Sequence, residues 1–229
     1  MSPPEQLSAN KFSPLDKLCR TAVICLSILI VCYVSMSIVE TVGGLMFPTF
    51  SDPNAEISSG LEMALGLGLF GLAIVSVPVY VTCIVVICRF MYRANQNLRS
   101  AGRKDLEFTP GWCVGWWFIP IACLFKPREA MVELYKASDS SPDSEWQQNS
   151  FDPIINKWWA AWILGSIITR IESRMAVSGV DTGLAAIPIT WTSTILLSLA
   201  AVWLISIVRH IAEQQRRNLS DVVHKGDVV

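Results

Sequence analysis

The residues best suited to chemistry in this chain are seven cysteines and two histidines. No Cys-x-x-Cys pair occurs, and His210 and His224 both lie near the C-terminal end. Thiol catalysis needs a base beside the cysteine, and a structural zinc site needs several ligands at short spacings. We therefore expect no enzyme activity, no metal site and no cofactor. The cysteines are expected to act as small apolar side chains, with a disulfide or metal site as the less favoured alternative.

A glycine-rich hexapeptide, GLGLFG at 66–71, matches the Gly-x-Gly-x-x-Gly pattern of dinucleotide-binding loops. That pattern binds a cofactor when it joins a strand to a helix in a βαβ unit. Here it lies inside an apolar run, so we reject the cofactor interpretation. Gly60, Ala64 and Gly68 are four residues apart, a spacing that lets membrane helices approach closely. The sequence therefore predicts helix packing at this position.

The composition predicts an all-α integral membrane protein. Hydrophobic residues make up 52% of the chain, charged residues make up 16%, and the mean hydropathy is +0.44. A soluble domain has about 25% charged residues. The net charge of −1 gives no reason to expect a nucleic-acid partner. The N-terminal residues, which include two prolines and Glu5, do not form a secretory signal, so we expect the first apolar helix to be retained.

The apolar runs predict four transmembrane helices, because a helix needs about 20 apolar residues to cross the hydrocarbon layer. Shorter patterns between them predict one segment that does not cross and one amphipathic helix. The predicted parts are a polar N-terminal tail at 1–16, a membrane domain at 17–210 with crossings at about 18–39, 61–88, 157–178 and 182–208, a re-entrant or interfacial segment at 110–125, an amphipathic helix at 127–137, a polar loop at 138–152, and a basic C-terminal tail at 211–229.

The most unusual stretch is TPGWCVGWWFIPIACLFKP, residues 109–127. Thr109 followed by Pro110 predicts a helix start, and Pro120 interrupts helical hydrogen bonding about ten residues later. As a helix the apolar part is about 24 Å long, which is short for a crossing. We therefore predict a proline-broken re-entrant or interfacial segment with a packed core. The residues of this core are Pro110, Gly111, Trp112, Gly115, Trp116, Trp117, Pro120, Lys126 and Pro127.

Two groups of side chains are predicted to contact lipid or a partner. The basic stretch 89–104 either only fixes topology at a cytoplasmic membrane edge or also binds anionic lipid or a protein. Two tryptophans, four residues apart, either anchor a helix in an interfacial belt or contact a partner. The residues of both groups are Arg89, Arg93, Arg99, Arg103, Lys104, Trp158 and Trp162.

The helix predicted at 127–137 has an amphipathic pattern. Its apolar side chains are expected to face the lipid surface. Its charged side chains, which include Glu133, are expected to remain in water. The apolar residues are Ala130, Met131, Leu134 and Tyr135.

The distribution of basic residues predicts the threading through the membrane. Lys and Arg flank the N-terminus, the 89–104 stretch, the 126–136 helix and the C-terminal tail, whereas the connection 40–59 has none. The positive-inside rule then places both termini in the cytoplasm. The membrane that holds the chain is expected to be the inner, cytoplasmic membrane. Arg170 and Arg174 leave a five-crossing arrangement as the alternative.

Three stretches resemble an uncharacterised family of bacterial multi-pass membrane proteins: RANQNLR at 93–99, FTPGWCVGWWFIPIACLFKP at 108–127 and WWAAW at 158–162. That family has a Gly-Trp-Trp-Phe-Ile-Pro core and is catalogued as a domain of unknown function. The resemblance spans roughly residues 61–210. Cys123 stands where family members usually have a small residue or Asn. The resemblance implies an integral membrane location, and it implies no activity, substrate or catalytic residue.

These patterns favour a membrane-embedded scaffold or interaction module with a cytoplasmic working face. Its partners would be the lipid bilayer, including anionic lipids, and an unidentified membrane or cytoplasmic protein. An oligomeric passive channel or permease for ions or small solutes is the alternative, because channels also use proline-broken half-helices. A single chain with four crossings would need to form a homo-oligomer to enclose a pore.

Overall fold

The computed structural model describes residues 14–47, 59–139, 146–148, 150–178 and 186–218, which contain helices and no strand. The α-helices are α1 (Asp16–Met46), α2 (Gly60–Ser100), α3 (Pro110–Gly115), α4 (Lys126–Ser138), α5 (Ile154–Val177) and α6 (Ala186–Asn218). The 3₁₀ turns are Trp116–Phe118, Ala122–Leu124 and Trp146–Gln148. Most of the predicted N-terminal tail, and parts of the predicted 138–152 loop and C-terminal tail, lie outside the described residues.

Three helices, α1, α2 and α6, are long and apolar enough to cross a membrane. They have 31, 41 and 33 residues, so each exceeds the length that a crossing requires. Large apolar side chains on them remain exposed, including Ile24 at 60%, Leu67 at 64% and Ile195 at 53%. Exposed apolar surface of this extent is typical of helices that face lipid. The helical structure confirms the all-α class, and three of the four predicted crossings coincide with helices that are long and apolar enough to span a membrane.

The basic stretch 89–104, which lies beyond the predicted crossing at 61–88, is helical as far as Ser100. The helix ends at a glycine cap: Gly102 has φ +81°, and the backbone N–H of Arg103 donates to the Leu98 carbonyl at 3.0 Å. Glycine adopts this left-handed conformation without the steric penalty that a Cβ atom would cause. The cap turns the chain at a defined residue and so fixes the direction of the segment that follows α2.

The chain divides into two compact units, which are described separately. Unit 1 comprises Met1–Ala22, Val85–Ile155 and Ile205–Val229, and unit 2 comprises Val23–Ile84 and Asn156–Leu204. The core of unit 1 is built from the C-terminal parts of α2 and α6 together with α4. Its fully buried side chains are Phe90, Met91, Leu98, Met131, Leu134, Ile155, Ile207, Val208 and Ile211.

The apolar face of α4 lies in the interior of unit 1, which corrects the expectation that it faces lipid. Ala130, Met131 and Leu134 are 0% exposed. Glu133, expected in water, is also buried. An amphipathic pattern shows that one face avoids water, but the pattern is the same whether that face meets lipid or protein. The buried face of α4 contributes to the protein core.

Unit 2 contains a close contact between α5 and α6 and several polar pairs. A Cβ atom added to Gly165 would lie 2.9 Å from Leu197 Cδ2, so α6 approaches α5 more closely here than a side chain would allow. Ser37 and Thr194 share a hydrogen bond of 2.6 Å, and Trp191 Nε1 donates to Thr41 Oγ1 at 3.0 Å. Hydroxyl groups thus pair α1 with α6 inside this unit.

Candidate functional site

A buried polar network joins α2, α4 and α6 in unit 1, with Gln215 at its centre. The Gln215 side chain is 0% exposed, and its amide nitrogen donates to the Ala94 carbonyl and to Ser138 Oγ, both at 3.0 Å. Its amide oxygen accepts a hydrogen bond from Asn97 Nδ2 at 3.1 Å. Both N–H groups and the oxygen of this amide are therefore paired, as a buried amide requires.

The turn after α2 is held by side chains from the end of that helix. Asn95 Nδ2 donates to the Phe108 carbonyl at 2.9 Å, and Arg99 donates to the same carbonyl at 2.8 Å. Arg103 is only 5% exposed, and its guanidinium donates to the Ala137 carbonyl at the end of α4. Two of the five basic residues predicted to contact lipid or a partner, Arg99 and Arg103, thus form hydrogen bonds within the fold.

Glu133 fixes the backbone that leads into the tryptophan-rich segment. Its carboxylate oxygens accept hydrogen bonds from the backbone N–H groups of Glu107, at 2.6 Å, and Phe108, at 3.2 Å. Burial raises the pKa of the Glu133 carboxyl, and the two backbone N–H groups act in the opposite direction. The carboxyl group therefore combines a structural role with sensitivity to pH.

Lys126 and Pro127 begin α4 beside this site. Lys126 Nζ lies 2.6 Å from Glu129 and 3.5 Å from Glu107, and it sits 5.6 Å from the centre of the Phe108 ring. The hydrogen bond to Glu129 raises the pKa of the Lys126 amine. Pro127 is buried in the first turn, where its missing N–H has no cost. Both predicted core residues thus help to position the start of α4.

The first part of the predicted core is a short helix with two tryptophans in contact. The Thr109 side chain caps α3 by accepting from Trp112 N, and Pro110 follows in the first turn, as the sequence predicts. The rings of Trp112 and Trp116 lie 4.8 Å apart between centroids. A Cβ atom added to Gly115 would lie 3.1 Å from Trp112 Cε3. Gly115 therefore allows the Trp112 ring to lie close to the backbone.

The second part of the segment exposes apolar side chains. Phe118 is 70% exposed and Ile121 is 76% exposed, and Leu124 and Phe125 are also exposed. Ile121 has φ +68°, a conformation rare for a β-branched residue. Local backbone hydrogen bonds are formed nonetheless, including Ala122 N to Pro120 O at 2.8 Å. Exposed apolar side chains on an internally bonded backbone suit an apolar environment better than water.

One of the two histidines, His210 on α6, lies beside the C-terminal end of α4. His210 Nε2 is 3.1 Å from Asp139 Oδ1, and its ring stacks on Tyr135 with centroids 4.2 Å apart and planes 9° apart. Burial raises the pKa of the Tyr135 hydroxyl. Among the described residues, no group of three or more His, Cys, Asp or Glu side chains could hold a metal ion. The pair joins α4 to α6 at the edge of unit 1.

A family model described as Domain of unknown function (DUF4328) matches residues 56–213. The chain belongs to this family. No curated protein and no solved structure matches it. The DUF4328 region contains α2, α3, α4, α5 and most of α6, and it therefore includes the turn after α2, the tryptophan pair and Glu133. Gln215 lies two residues beyond the matched region.

The remaining predicted residues of this DUF4328 chain are distributed over both units. In unit 1, Arg89 and Lys104 are exposed and Arg93 is partly exposed. The other members of the predicted core there show a range of exposure: Gly111 and Pro120 are exposed, and Pro110 and Trp117 are partly buried. In unit 2, Trp158 is 2% exposed and Trp162 is partly buried, and the ring of Trp159 contacts both.

The sequence did not predict a site role for four polar residues that hold unit 1 of this DUF4328 chain together. They are Asn95, Asn97, Glu133 and Gln215. A weak signal for Asn95 and Asn97 is present in the sequence. Both are uncharged amides in a basic stretch, and each is next to an apolar residue, Ala94 or Leu98. Glu133 has no such signal, because a carboxylate on an amphipathic helix is expected on the wet face.

Proposed function

We propose that this protein is a multi-pass, membrane-embedded scaffold or interaction module. Its working face is the surface of unit 1, and its role is non-catalytic. The observation that carries the proposal is the buried network around Gln215 and Glu133, which fixes the turn after α2 against α4 and α6. A connection that only links helices has no need of so many buried polar contacts, since each one is costly when incomplete.

The tryptophan pair, in which Trp112 is exposed and Trp116 is partly buried, supports this role. Trp112 is 49% exposed and contacts Trp116, and both stand on a segment whose two flanks are anchored by the network. Large aromatic side chains on a rigid surface are the groups that contribute most at protein interfaces. A membrane or cytoplasmic protein is therefore the proposed partner, with surrounding lipid as a second contact.

The proposed threading has four crossings, formed by α1, α2, α5 and α6, and both termini lie in the cytoplasm. The α3 helix has six residues, about 9 Å, so the segment 110–125 enters and returns or lies in the interface. Its two ends, Thr109 and Lys126, both belong to unit 1. The basic residues of unit 1 and the absence of Lys and Arg at 40–59 support a cytoplasmic unit 1 in the proposed inner-membrane location.

The threading is tested by labelling single introduced cysteines with an impermeant thiol reagent, in a chain without its native cysteines. Asp139→Cys and Lys225→Cys are expected to label only after the membrane is opened. Ser51→Cys, in the 40–59 connection, is the matched control that labels in intact cells. External labelling at Asp139 or Lys225 would contradict the proposed orientation.

The scaffold role is tested by placing a photo-crosslinking amino acid at Trp112 in native membranes. We expect a discrete protein adduct that saturates with expression level and is lost in Gly115→Leu. The same crosslinker at Leu67, an exposed apolar position on α2, is expected to give lipid adducts alone. Equal adduct patterns at the two positions would remove the support for a working face on unit 1.

An oligomeric passive channel or permease is the second candidate, and the polar pairs of unit 2 favour it. Glu172 accepts hydrogen bonds from Ser193 Oγ at 3.1 and 3.2 Å, close in sequence to the Thr194 and Trp191 pairs. Polar groups inside membrane proteins often line a path for ions or solutes. Solute flux into liposomes that contain purified protein would favour this candidate, and absence of flux with a retained Trp112 adduct would favour the scaffold.

A further inference from the structure

Three arginines mark the ends of the apolar runs of the three candidate spans. Arg20 precedes the uncharged run 21–39 of α1, Arg89 follows the uncharged run 63–88 of α2, and Arg209 follows the uncharged part of α6. All three side chains are exposed, and all three belong to unit 1. Each of these arginines is therefore the charged residue that borders an uncharged, apolar run of its helix.

These guanidinium groups are not used by the described part of the fold. Its ion pairs include Lys126 with Glu107 and Glu129, His210 with Asp139, and Glu213 with Arg216 and Arg217. Within the described ranges, Arg20, Arg89 and Arg209 form neither a hydrogen bond nor an ion pair. Arg99 and Arg103, in contrast, are engaged by backbone carbonyls.

Two of the three lie in the same region of unit 1. Arg209 on α6 is within electrostatic range of Cys19 on α1, the residue next to Arg20. The carboxylate of Asp16, in the first turn of α1, also acts on Cys19, so two arginines face one acidic group there. Among the described residues, no acidic side chain forms an ion pair with Arg20 or Arg209. A site of this kind attracts an anion that can approach beside apolar surface.

We propose that Arg20, Arg89 and Arg209 bind the phosphate groups of anionic phospholipids in the cytoplasmic leaflet. This inference rests on the proposed placement of unit 1 at that leaflet. Apolar side chains of unit 1 accompany these arginines: Val85, four residues before Arg89, is 50% exposed. An anionic phospholipid fits an arginine that is accompanied by exposed apolar side chains, because its phosphate is joined to hydrocarbon chains. Arginine can also donate two parallel hydrogen bonds to one phosphate.

The test uses purified full-length protein in non-ionic detergent, titrated with phosphatidylglycerol or with phosphatidylcholine. The thermal unfolding midpoint, followed by tryptophan fluorescence, and lipid retained in native mass spectrometry are the two readouts. We expect phosphatidylglycerol to raise the midpoint and to be retained, and phosphatidylcholine or inorganic phosphate to have little effect. Each Arg→Gln change is expected to raise the phosphatidylglycerol concentration at half-saturation about fivefold, and the triple change about a hundredfold.

Arg216→Gln with Arg217→Gln is the matched control, because both residues are already paired with Glu213. It should retain the response of the unaltered chain. An equal response to both lipids, or an unchanged response in the triple variant, would overturn the inference. If the triple variant does not fold, the three single variants decide the question. Loss of the Trp112 adduct with a retained phosphatidylglycerol response would remove the scaffold proposal alone.

Discussion

Asn97 Nδ2 donates a hydrogen bond to Gln215 Oε1 at 3.1 Å and so joins two buried amides that are 118 positions apart in the chain. Gln215 also donates to Ala94 and Ser138, which connects α2, α6 and the end of α4. A buried network of this kind specifies one arrangement of helices when every member is paired, and is costly when one member is removed. Unit 1 should therefore depend strongly on this side chain.

The first prediction concerns Gln215→Met, which keeps the side-chain length and removes the amide. Asn97, the Ala94 carbonyl and Ser138 would each lose a partner in a buried site. We expect unit 1 to lose about 2–4 kcal/mol, since each unsatisfied buried group costs about 1–3 kcal/mol before relaxation. Hydrogen exchange of α4 amides measures the change. Gln214→Met, at a partly exposed neighbouring position, is the control and should exchange like the unaltered chain.

The second prediction concerns pH and Glu133. Burial raises the pKa of Glu133 in the folded state, so the folded protein binds more protons than the unfolded chain between the two pKa values. The stability contribution is full below the unfolded pKa, about 4.3, and is lost as the pH rises through the folded pKa. The unfolding midpoint relative to that of Glu133→Gln should therefore fall as the pH rises through this window.

The matched control for this pH dependence is Glu107→Gln. The Glu107 side chain is 69% exposed, although its backbone N–H donates to Glu133. The Glu107 carboxylate raises the pKa of Glu133 less than burial does, so its substitution should reduce the slope of the unfolding midpoint against pH only slightly. A slope that is unchanged in Glu133→Gln, or lost in Glu107→Gln, would contradict the assignment to Glu133.

The helical class and the apolar spans follow from the sequence because long uncharged runs have few other stable states in a membrane. The end of α2 was harder to predict. A basic stretch suggests a connection, yet seven of the twelve residues from Arg89 to Ser100 are good helix formers, and the helix stops only where Gly102 adopts positive φ. The hydropathy of the sequence therefore predicts the apolar part of α2, whereas a local glycine cap determines where the helix ends.

The site was less predictable than the fold. The start of α3 at Thr109 and Pro110 follows from local capping preferences and appears as expected. The role of Arg103 depends on the Ala137 carbonyl, which is 34 positions away, and the role of Glu133 depends on backbone N–H groups 25 and 26 positions away. Such partners are brought together by tertiary packing, and no local pattern encodes them.

The third prediction concerns the tryptophan pair. Gly115→Leu would place a branched side chain where even a Cβ atom lies 3.1 Å from Trp112 Cε3, and we expect a loss of about 1–3 kcal/mol. Gly111→Ala, in the same short helix with nothing within 4 Å, should be nearly neutral. Trp162→Phe is expected to be milder than Gly115→Leu. Yield of monodisperse protein after membrane extraction ranks the three variants, and equal yields would exclude close packing at Gly115.

The last prediction concerns the contact between α5 and α6 in unit 2. A Cβ atom at Gly165 would lie 2.9 Å from both Cγ and Cδ2 of Leu197, so Gly165→Ala should lower the unfolding midpoint. Leu197→Ala makes room for the added methyl group and should restore part of the loss, which is a non-additive effect expected only of residues in contact. Gly68→Ala is the control and should leave the midpoint unchanged, because nothing lies within 4 Å of a Cβ atom there, although the sequence predicts helix packing at Gly68. Additive losses in the Gly165 and Leu197 double variant would show that the two helices do not meet at this position.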